Sequence, residues 1–489
     1  MIRTDLFING VAQTAANNTT YPVINPARPS EVVGKAAAAS LGDVDDAVMA
    51  AHRAWPEWAA LSMDERAAYL RKVATELNAD EDATKGRVNL LTREHGKTLF
   101  ESNIEIARLA DRFGQVATMA EKVGQSEEIQ GPMFDTLVVH QPRGVATLIV
   151  PWNWPLAILG AKLPQALLAG STVVVKLSEQ ATLAPAQTVI KIAKMLPPGV
   201  VNLITGDGTV IGDRLVGHPL VRQVNFTGSI PVGRHIMKTA ADNITPVTLE
   251  LGGNDPGIVL ADADLTPEFF QRLYLSVFLT TGQICMALKR LYIHRDLFDD
   301  VVDGLSAVME KQVIGDGLKD GVTLGPLNNA KQQGIVSKMV AEAQEMGGSV
   351  HHYGRVEDDI MFNDGFFLRP SLVINADPSW SVVKDEQFGP TLPVIAFDND
   401  DDAIAMANDS TYGLSSSVWS ADNDHAKRVA HKLEAGFTNL NAHGPTAMDG
   451  LSPFGGVKQS GIGRNFGIEG ISQFQETQSI SGPSGSLFA

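Results

Sequence analysis

Between residues 145 and 250 short β-branched runs alternate with amphipathic segments: "VATLIV", "PLAILGAKLPQALLAG", "STVVVKL", "APAQTVIKIAKML", "VVNLIT", "GTVIGDRLVG", "RQVNFTG", "PVGRHIMKTAA" and "PVTLEL". The order is strand, helix, strand, repeated, and right-handed crossovers of this kind build a parallel sheet covered by helices on both faces. Such a sheet binds ligands in the crevice at the carboxyl ends of its strands. The residues that follow each run are therefore where chemistry is to be sought.

Beyond about residue 253 the alternation starts again, with "GIVLA", a helical segment leading to Cys285, "RLYIH" and further helices to about 346. A chain of 489 residues exceeds what one hydrophobic core serves, since cores stop growing near about 250–300 residues. No internal repeat is visible, and no linker rich in Gly, Ser or charge separates the halves. The expectation is two domains packed on each other with the site between them. Residues 40–125 read as a helical layer: in "LSMDERAAYLRKVATEL" Ser62 is a candidate N-cap with Glu65 three residues on. Alternation within 124–141 and in the final "QETQSISGPSGSLFA" predicts a small extra sheet between subunits.

Charge narrows the choice of partner. Lys and Arg number 39 against 56 Asp and Glu, a net charge of −17 that repels phosphate backbones and argues against nucleic acid. The most apolar region, 145–177, is broken by Pro151, Asn153, Pro155, Lys162 and Pro164, so it reads as buried core and not as a membrane span. One cysteine excludes an intramolecular disulfide, and Asp5 interrupts the opening "MIRTDLFING" where a signal peptide needs an apolar stretch. A cytoplasmic protein without a metal site is the expectation.

That cysteine is Cys285, in "TTGQICMALKR". A lone cysteine is commonly a small buried hydrophobe. A catalytic thiol needs in addition a lowered pKa, a base or water activator, and donors for the oxyanion it creates. Candidates exist for each. Glu250 ends the run "VTLELGGN", with Gly252 and Gly253 as a flexible exit, although a strand-end carboxylate is often merely solvated. Asn153 lies in "PWNWPL", between prolines and tryptophans that hold it rigidly, as an oxyanion donor requires or as a turn requires. In "NFTGSIPVGRHI", Gly228 and Ser229 follow a strand and Pro231 starts a helix, so free N–H groups there can face a pyrophosphate. "VVVKLSEQ" ends another strand with Lys176 and Glu179, suited to ribose hydroxyls.

Seven stretches, "PWNWPL", "KLSEQ", "FTGSIPVG", "LELGGN", "GQICMALKR", "EQFGP" and "PFGGVKQSGIGR", occur in the order found in the aldehyde dehydrogenase superfamily, which the chain resembles over nearly its whole length. The resemblance implies an α/β fold with two Rossmann-like parallel-sheet domains and a small oligomerisation sheet. Residues 1–123 and 142–252 would form the NAD-binding domain, 253–470 the catalytic domain, and 124–141 with 471–489 the oligomerisation segment of a dimer or tetramer. Cys285 would be the nucleophile, Asn153 and the Cys285 N–H the oxyanion donors, Glu250 the activator of the hydrolytic water, and Lys162 a nearby positive charge. For the cofactor, the resemblance assigns Lys176 and Glu179 to the adenosine ribose, Ser229 to the pyrophosphate, Glu386 to the nicotinamide ribose and Phe388 to the ring. Pro151, Trp152, Ser178, Gly228, Val232, Leu251 and Gly252 complete that site.

A 2′-phosphate near Glu179 meets a like charge, worth about 4 kcal/mol per unit charge at about 4 Å and an effective dielectric near 20, so NAD is favoured, with NADP left open. Trp154, Ile158, Ala161, Ile284, Met286 and Phe454 align with the substrate tunnel and are all apolar. Members acting on succinic semialdehyde resemble one another in an arginine near the place of Ala161. The expected substrate is therefore a neutral aliphatic or aromatic aldehyde. Four positions depart from the pattern: Leu177, Asn254, Thr281, and Asn465, which stands where glutamate is usual. Three rivals remain: a CoA-acylating enzyme, which generally lacks the counterpart of Glu250; a cofactor-free thiol esterase, which leaves Lys176, Glu179, Ser229 and Glu386 unexplained; and a non-catalytic binding or structural protein on this fold, against which intact Cys285, Glu250 and Asn153 stand.

Overall fold

In the computed structural model, which describes residues 2–487, the first alternating region is an eight-stranded sheet. Its centre holds parallel strands in the spatial order Val247–Glu250, Val221–Thr227, Val145–Ile149, Thr172–Lys176 and Val201–Ile204. All residues of the last two are buried, as strands covered on both faces must be. The chain steps from Val145–Ile149 through Thr172–Lys176 to Val201–Ile204, then crosses to the other side at Val221–Thr227. The reversal falls between Val145–Ile149 and Val221–Thr227, and a crevice opens at their carboxyl ends. Residues 150–153 and 228–229 leave the sheet there.

The second sheet has seven strands, in the order Ser349–His352, Ser371–Ile374, Thr391–Phe397, Leu288–His294, Asp255–Val259, Ser415–Trp419 and Phe437–Leu440. Only its first pair is antiparallel. Residues 40–125 are helical as expected, and Ser62 and Glu65 form a reciprocal capping box at the start of Met63–Glu76. The helix Leu99–Ala117 begins with another box at Thr98 and sends Ile106, Leu109 and Phe113 into the same core as Leu156, Leu159 and Leu163. Its position beside the 151–163 segment matters for the site. A third sheet joins Gln475–Pro483 to the full length of Phe134–Pro142, which pairs in turn with Glu127–Gln130. Phe488 and Ala489, the end of the expected oligomerisation segment, lie outside the described residues, as does Met1.

Local patterns did not foretell three features. Leu6–Ile8 and Val11–Gln13 extend the first sheet antiparallel at its edge, seated against Val201–Ile204. Gly461–Ile462 returns to the first sheet beside Leu249 and Glu250, and Ile471 and Phe474 enter its core. The helix preceding Cys285, Pro267–Phe278, stops four residues short of Gly282. No helix among the described residues is long and apolar enough to cross a membrane.

Candidate active site

Past Phe278 the backbone turns left-handed at Thr280, Thr281 and Gly282, with φ of 53°, 55° and 73°. Threonine rarely adopts this region, at a cost on the order of 1–3 kcal/mol per residue. Surrounding groups hold the turn in place. Glu101 Oε1 accepts from the Thr280 N–H at 2.5 Å, Thr280 Oγ1 accepts from Trp154 Nε1 at 3.0 Å, and Thr281 Oγ1 donates to the Gly325 carbonyl at 2.9 Å. A Cβ on Gly282 would collide with the Gly389 carbonyl, so glycine is required there by space as well as by φ. The turn delivers Cys285 to the meeting point of two cavities.

One cavity, of about 750 Å³, is walled by Trp154, Ala157, Ile158, Ala161, Ile284, Met286, Met448, Phe454 and Phe466, with Glu250, Asn465, Arg108 and Arg112 among them. All six positions expected at a substrate tunnel are in this wall. The other, of about 730 Å³, is walled by Pro151, Trp152, Gly228, Ser229, Leu251, Gly252, Gln332, Ile335, Glu386 and Phe388. Asn153, Thr227 and Cys285 belong to both. Four expected cofactor residues lie outside that second wall: Lys176, Ser178 and Glu179 at the end of the neighbouring strand, and Val232, exposed on the first turn of Ile230–Ala241. Lys176 and Glu179 are paired at 3.0 Å.

Asn153 is fixed from both ends. Its side-chain Nδ2 donates to the Gln283 carbonyl at 2.9 Å, two residues before the cysteine, and leaves a second N–H free. Its carbonyl accepts from Lys97 Nζ at 2.7 Å, and Lys97 is held by Glu105 at 2.5 Å in a buried pair. Glu105 also accepts from the N–H of Leu156 and Ala157. Nothing in the sequence singled out Lys97 or Glu105, whose roles depend on helices brought together only in the fold.

Glu250 ends its strand with a buried carboxyl group that has no hydrogen-bond partner on either oxygen among the described residues. Burial pushes its pKa up to about 8, against the pull of Lys162 and Arg464. Lys162 is itself fully buried; its Nζ donates to Asn225 Oδ1, and Asn225 in turn donates to Asn465 at 3.2 Å. Burial lowers its pKa to about 8, opposed by the charges of Glu250 and Cys285. The Cys285 thiol is not lowered as a catalytic thiol was expected to be: burial, and then the charges of Glu386, Asp255 and Glu250, push it up to about 12. A proton acceptor, a proton donor and a thiol thus share one low-dielectric volume, the arrangement acyl chemistry requires.

On the second cavity, Glu386 accepts from the Gly253 N–H at 3.3 Å, and burial raises its pKa to about 7. A Cβ on Gly252 would strike this carboxylate, and one on Gly228 would strike the Phe226 ring, so backbone and carboxylate approach closely only because both are glycine. The Trp152 ring meets Phe388 edge-on at 5.5 Å. Ser229, in this wall, is the N-cap of the twelve-residue helix Ile230–Ala241 and makes no cap bond of its own, so the first N–H groups of the helix have no side-chain cap. These groups suit a dinucleotide: free amides for phosphate, a carboxylate for ribose hydroxyls, aromatic rings for a planar ring. Lys289, buried behind them, donates to the Gly282 carbonyl and lies 5.5 Å from the Phe388 ring centre.

Residues 13–480 match the family model described as the aldehyde dehydrogenase family. The betaine aldehyde dehydrogenase of Beta vulgaris chloroplasts is 35% identical, over 97% of this chain and 95% of that one. The succinate-semialdehyde dehydrogenase [NADP(+)] of Escherichia coli (strain K12) is also 35% identical, over 97% of each. A crystal structure of betaine aldehyde dehydrogenase from Staphylococcus aureus in complex with NAD+ superposes with a TM-score of 0.92 at 32% identity, covering 99% of this chain and 96% of that one. The chain belongs to the aldehyde dehydrogenase family.

Proposed function

We propose that this enzyme oxidises an aldehyde with an apolar aliphatic or aromatic body to its carboxylic acid, through a thioester on Cys285 that Glu250-activated water hydrolyses. The observation that carries this reading is the placement of Cys285 where a mostly apolar cavity meets one lined by strand ends, glycines and a carboxylate. The Cys285 thiol gives its proton to solvent, Sγ bonds to the aldehyde carbon, and the oxyanion formed accepts from the free Asn153 N–H and the Cys285 N–H. Loss of hydride from that carbon leaves the thioester. Bound NAD supplies the hydride acceptor, held by Ser229, Glu386, Trp152 and Phe388, with Lys176 and Glu179 on its ribose. Glu250 takes a proton from the attacking water, and Lys162 offsets the charge this creates. The thiolate then leaves and the acid departs.

Residues 1–123 and 142–252 serve the cofactor on this reading, and 253–470 supply the thiol. The three-stranded sheet that includes the exposed strand Glu127–Gln130 joins copies of the chain into a homo-oligomer. A lone free thiol suits a reducing compartment and supports a cytoplasmic location. The test is NADH formation from NAD and a panel of aldehydes, without and with CoA, beside Cys285→Ala. Turnover without CoA that vanishes in the variant is expected. Turnover only with CoA would transfer the final step from water to the thiol of CoA and leave Glu250 without its role.

A further inference from the structure

The substrate cavity holds two charges that its apolar lining does not explain. Arg108 and Arg112 stand one turn apart on Leu99–Ala117, and both face the cavity that contains Cys285. Arg112 is 7% exposed. Its Nη1 donates to Gln115 Oε1 and to the Asp449 carbonyl, and its guanidinium lies 4.9 Å from the centre of the Phe466 ring. Gly450 leaves it room, since a Cβ there would overlap the guanidinium. Arg108 donates from Nη1 to the Pro445 carbonyl at 3.0 Å. Among the described residues neither arginine has a carboxylate within 4.0 Å; the buried Arg66, Arg87 and Arg290 lack one too, but Arg108 and Arg112 line the cavity that holds Cys285 and those three do not.

Two cations side by side in a largely dry wall repel each other and lose hydration, and a buried charge is retained at that cost only with a partner. Carbonyl and amide oxygens occupy one nitrogen of each and leave other guanidinium N–H groups for a ligand. We propose that the substrate is an aldehyde bearing a carboxylate at the far end of its apolar body, and that Arg108 and Arg112 grip that carboxylate while the aldehyde reaches Cys285. Guanidinium matches carboxylate geometry with two parallel hydrogen bonds. Trp154, Ile158, Phe454 and Phe466 then surround the spacer. This specifies the substrate of the proposed dehydrogenase and rests on that reading. It replaces the expectation of a neutral aldehyde, which rested on Ala161 and on apolar neighbours and did not see a helix some fifty residues upstream.

With NAD present, kcat/KM for 4-carboxybenzaldehyde is expected to exceed that for benzaldehyde by roughly tenfold or more, and Arg112→Met to cut the ratio about 30-fold. Arg108→Met, at the less buried position, is expected to cut it less, and Arg112→Lys to cut it less than Arg112→Met. A ratio near one in the parent, or one unchanged in all three variants, overturns the proposal. Quenching of tryptophan fluorescence by terephthalate against benzoate reads the same preference without turnover, on protein whose circular dichroism matches the parent. If terephthalate is preferred while no aldehyde yields NADH, the anion site stands and the dehydrogenase reading falls. If NADH forms without preference for the carboxylated aldehyde, the reverse holds.

Discussion

The two cavities that meet at Cys285 are built on different principles. On the Ser229 side the wall is largely strand ends, glycines and a helix start, fixed by a sheet whose strands are hydrogen-bonded on both sides. The facing wall is made of side chains, from Leu99–Ala117, the 154–161 segment, the cysteine loop and residues 445–466. Backbone at the end of a central strand moves little, so the first wall recognises one ligand with few adjustable parts. Side chains on loops can change without disturbing either sheet, so the second wall is where the choice of aldehyde is written.

The most direct way to break the comparison is to remove the atom the two walls share. Cys285→Ala is expected to lower NADH formation by about 10^4-fold or more while NAD still binds, as measured by fluorescence titration. Loss of NAD binding in the variant would mean that the cavities are not separable. In the cofactor-free parent, a thiol pushed up to about 12 predicts slow alkylation by iodoacetamide at pH 7, rising about tenfold per pH unit without levelling before pH 10.

Glu250 sits on the shared border, and Glu250→Gln is expected to reduce turnover by about 10^2- to 10^4-fold while preserving a burst of one NADH per site, because only hydrolysis is lost. In the parent, hydrolysis should rise with pH and level off above about 8, where the buried carboxyl loses its proton. The same shift has a sign for stability. A carboxyl whose folded pKa is raised from 4.5 to about 8 makes the folded state bind the extra proton, so stability from this group falls as pH climbs through that window. Glu250→Gln should therefore unfold at a higher temperature than the parent at pH 9, with the gap closing toward pH 5. Next in size, Asn153→Ala should cost about 100- to 1000-fold in kcat, with little change in NAD affinity.

How far each wall was legible in the sequence follows from how it is made. Gly228, Ser229 and Gly252 lie in short contiguous stretches at the exits of strands, where alternation marks the strand and glycine marks the exit; Trp152 and Glu386, the latter between the helix Ser381–Lys384 and the strand Thr391–Phe397, were legible only through the family resemblance. Arg108 and Arg112 occupy one helix face at a spacing that reads as a solvated charged stripe until the helix is placed against the 154–161 segment. The turn at Thr280 and Thr281 was not readable, because β-branched residues do not advertise a left-handed backbone; only Gly282 does. Nor was the pairing of Leu6–Ile8 or Gly461–Ile462 with the first sheet, where each short strand joins a partner roughly two hundred residues away.

The smallest expected effect tests the edge of the cofactor side, at Glu179. A bare like-charge estimate of about 4 kcal/mol against a 2′-phosphate assumes a charge that is neither paired nor wetted. Glu179 is both: Lys176 lies 3.0 Å away and the glutamate side chain is 41% exposed. An exposed pair interacts by roughly 0.2–1 kcal/mol in water, so the discrimination left to Glu179 is nearer the upper end of that range than to the bare figure. Glu179→Gln should then raise the ratio of kcat/KM for NADP over NAD by about fivefold, and added salt should shrink the difference between parent and variant. A shift of a hundredfold or more would mean that binding draws Glu179 away from Lys176 and out of water. The strand-end wall would then be more adjustable than its backbone suggests, and the contrast between the two cavities correspondingly weaker.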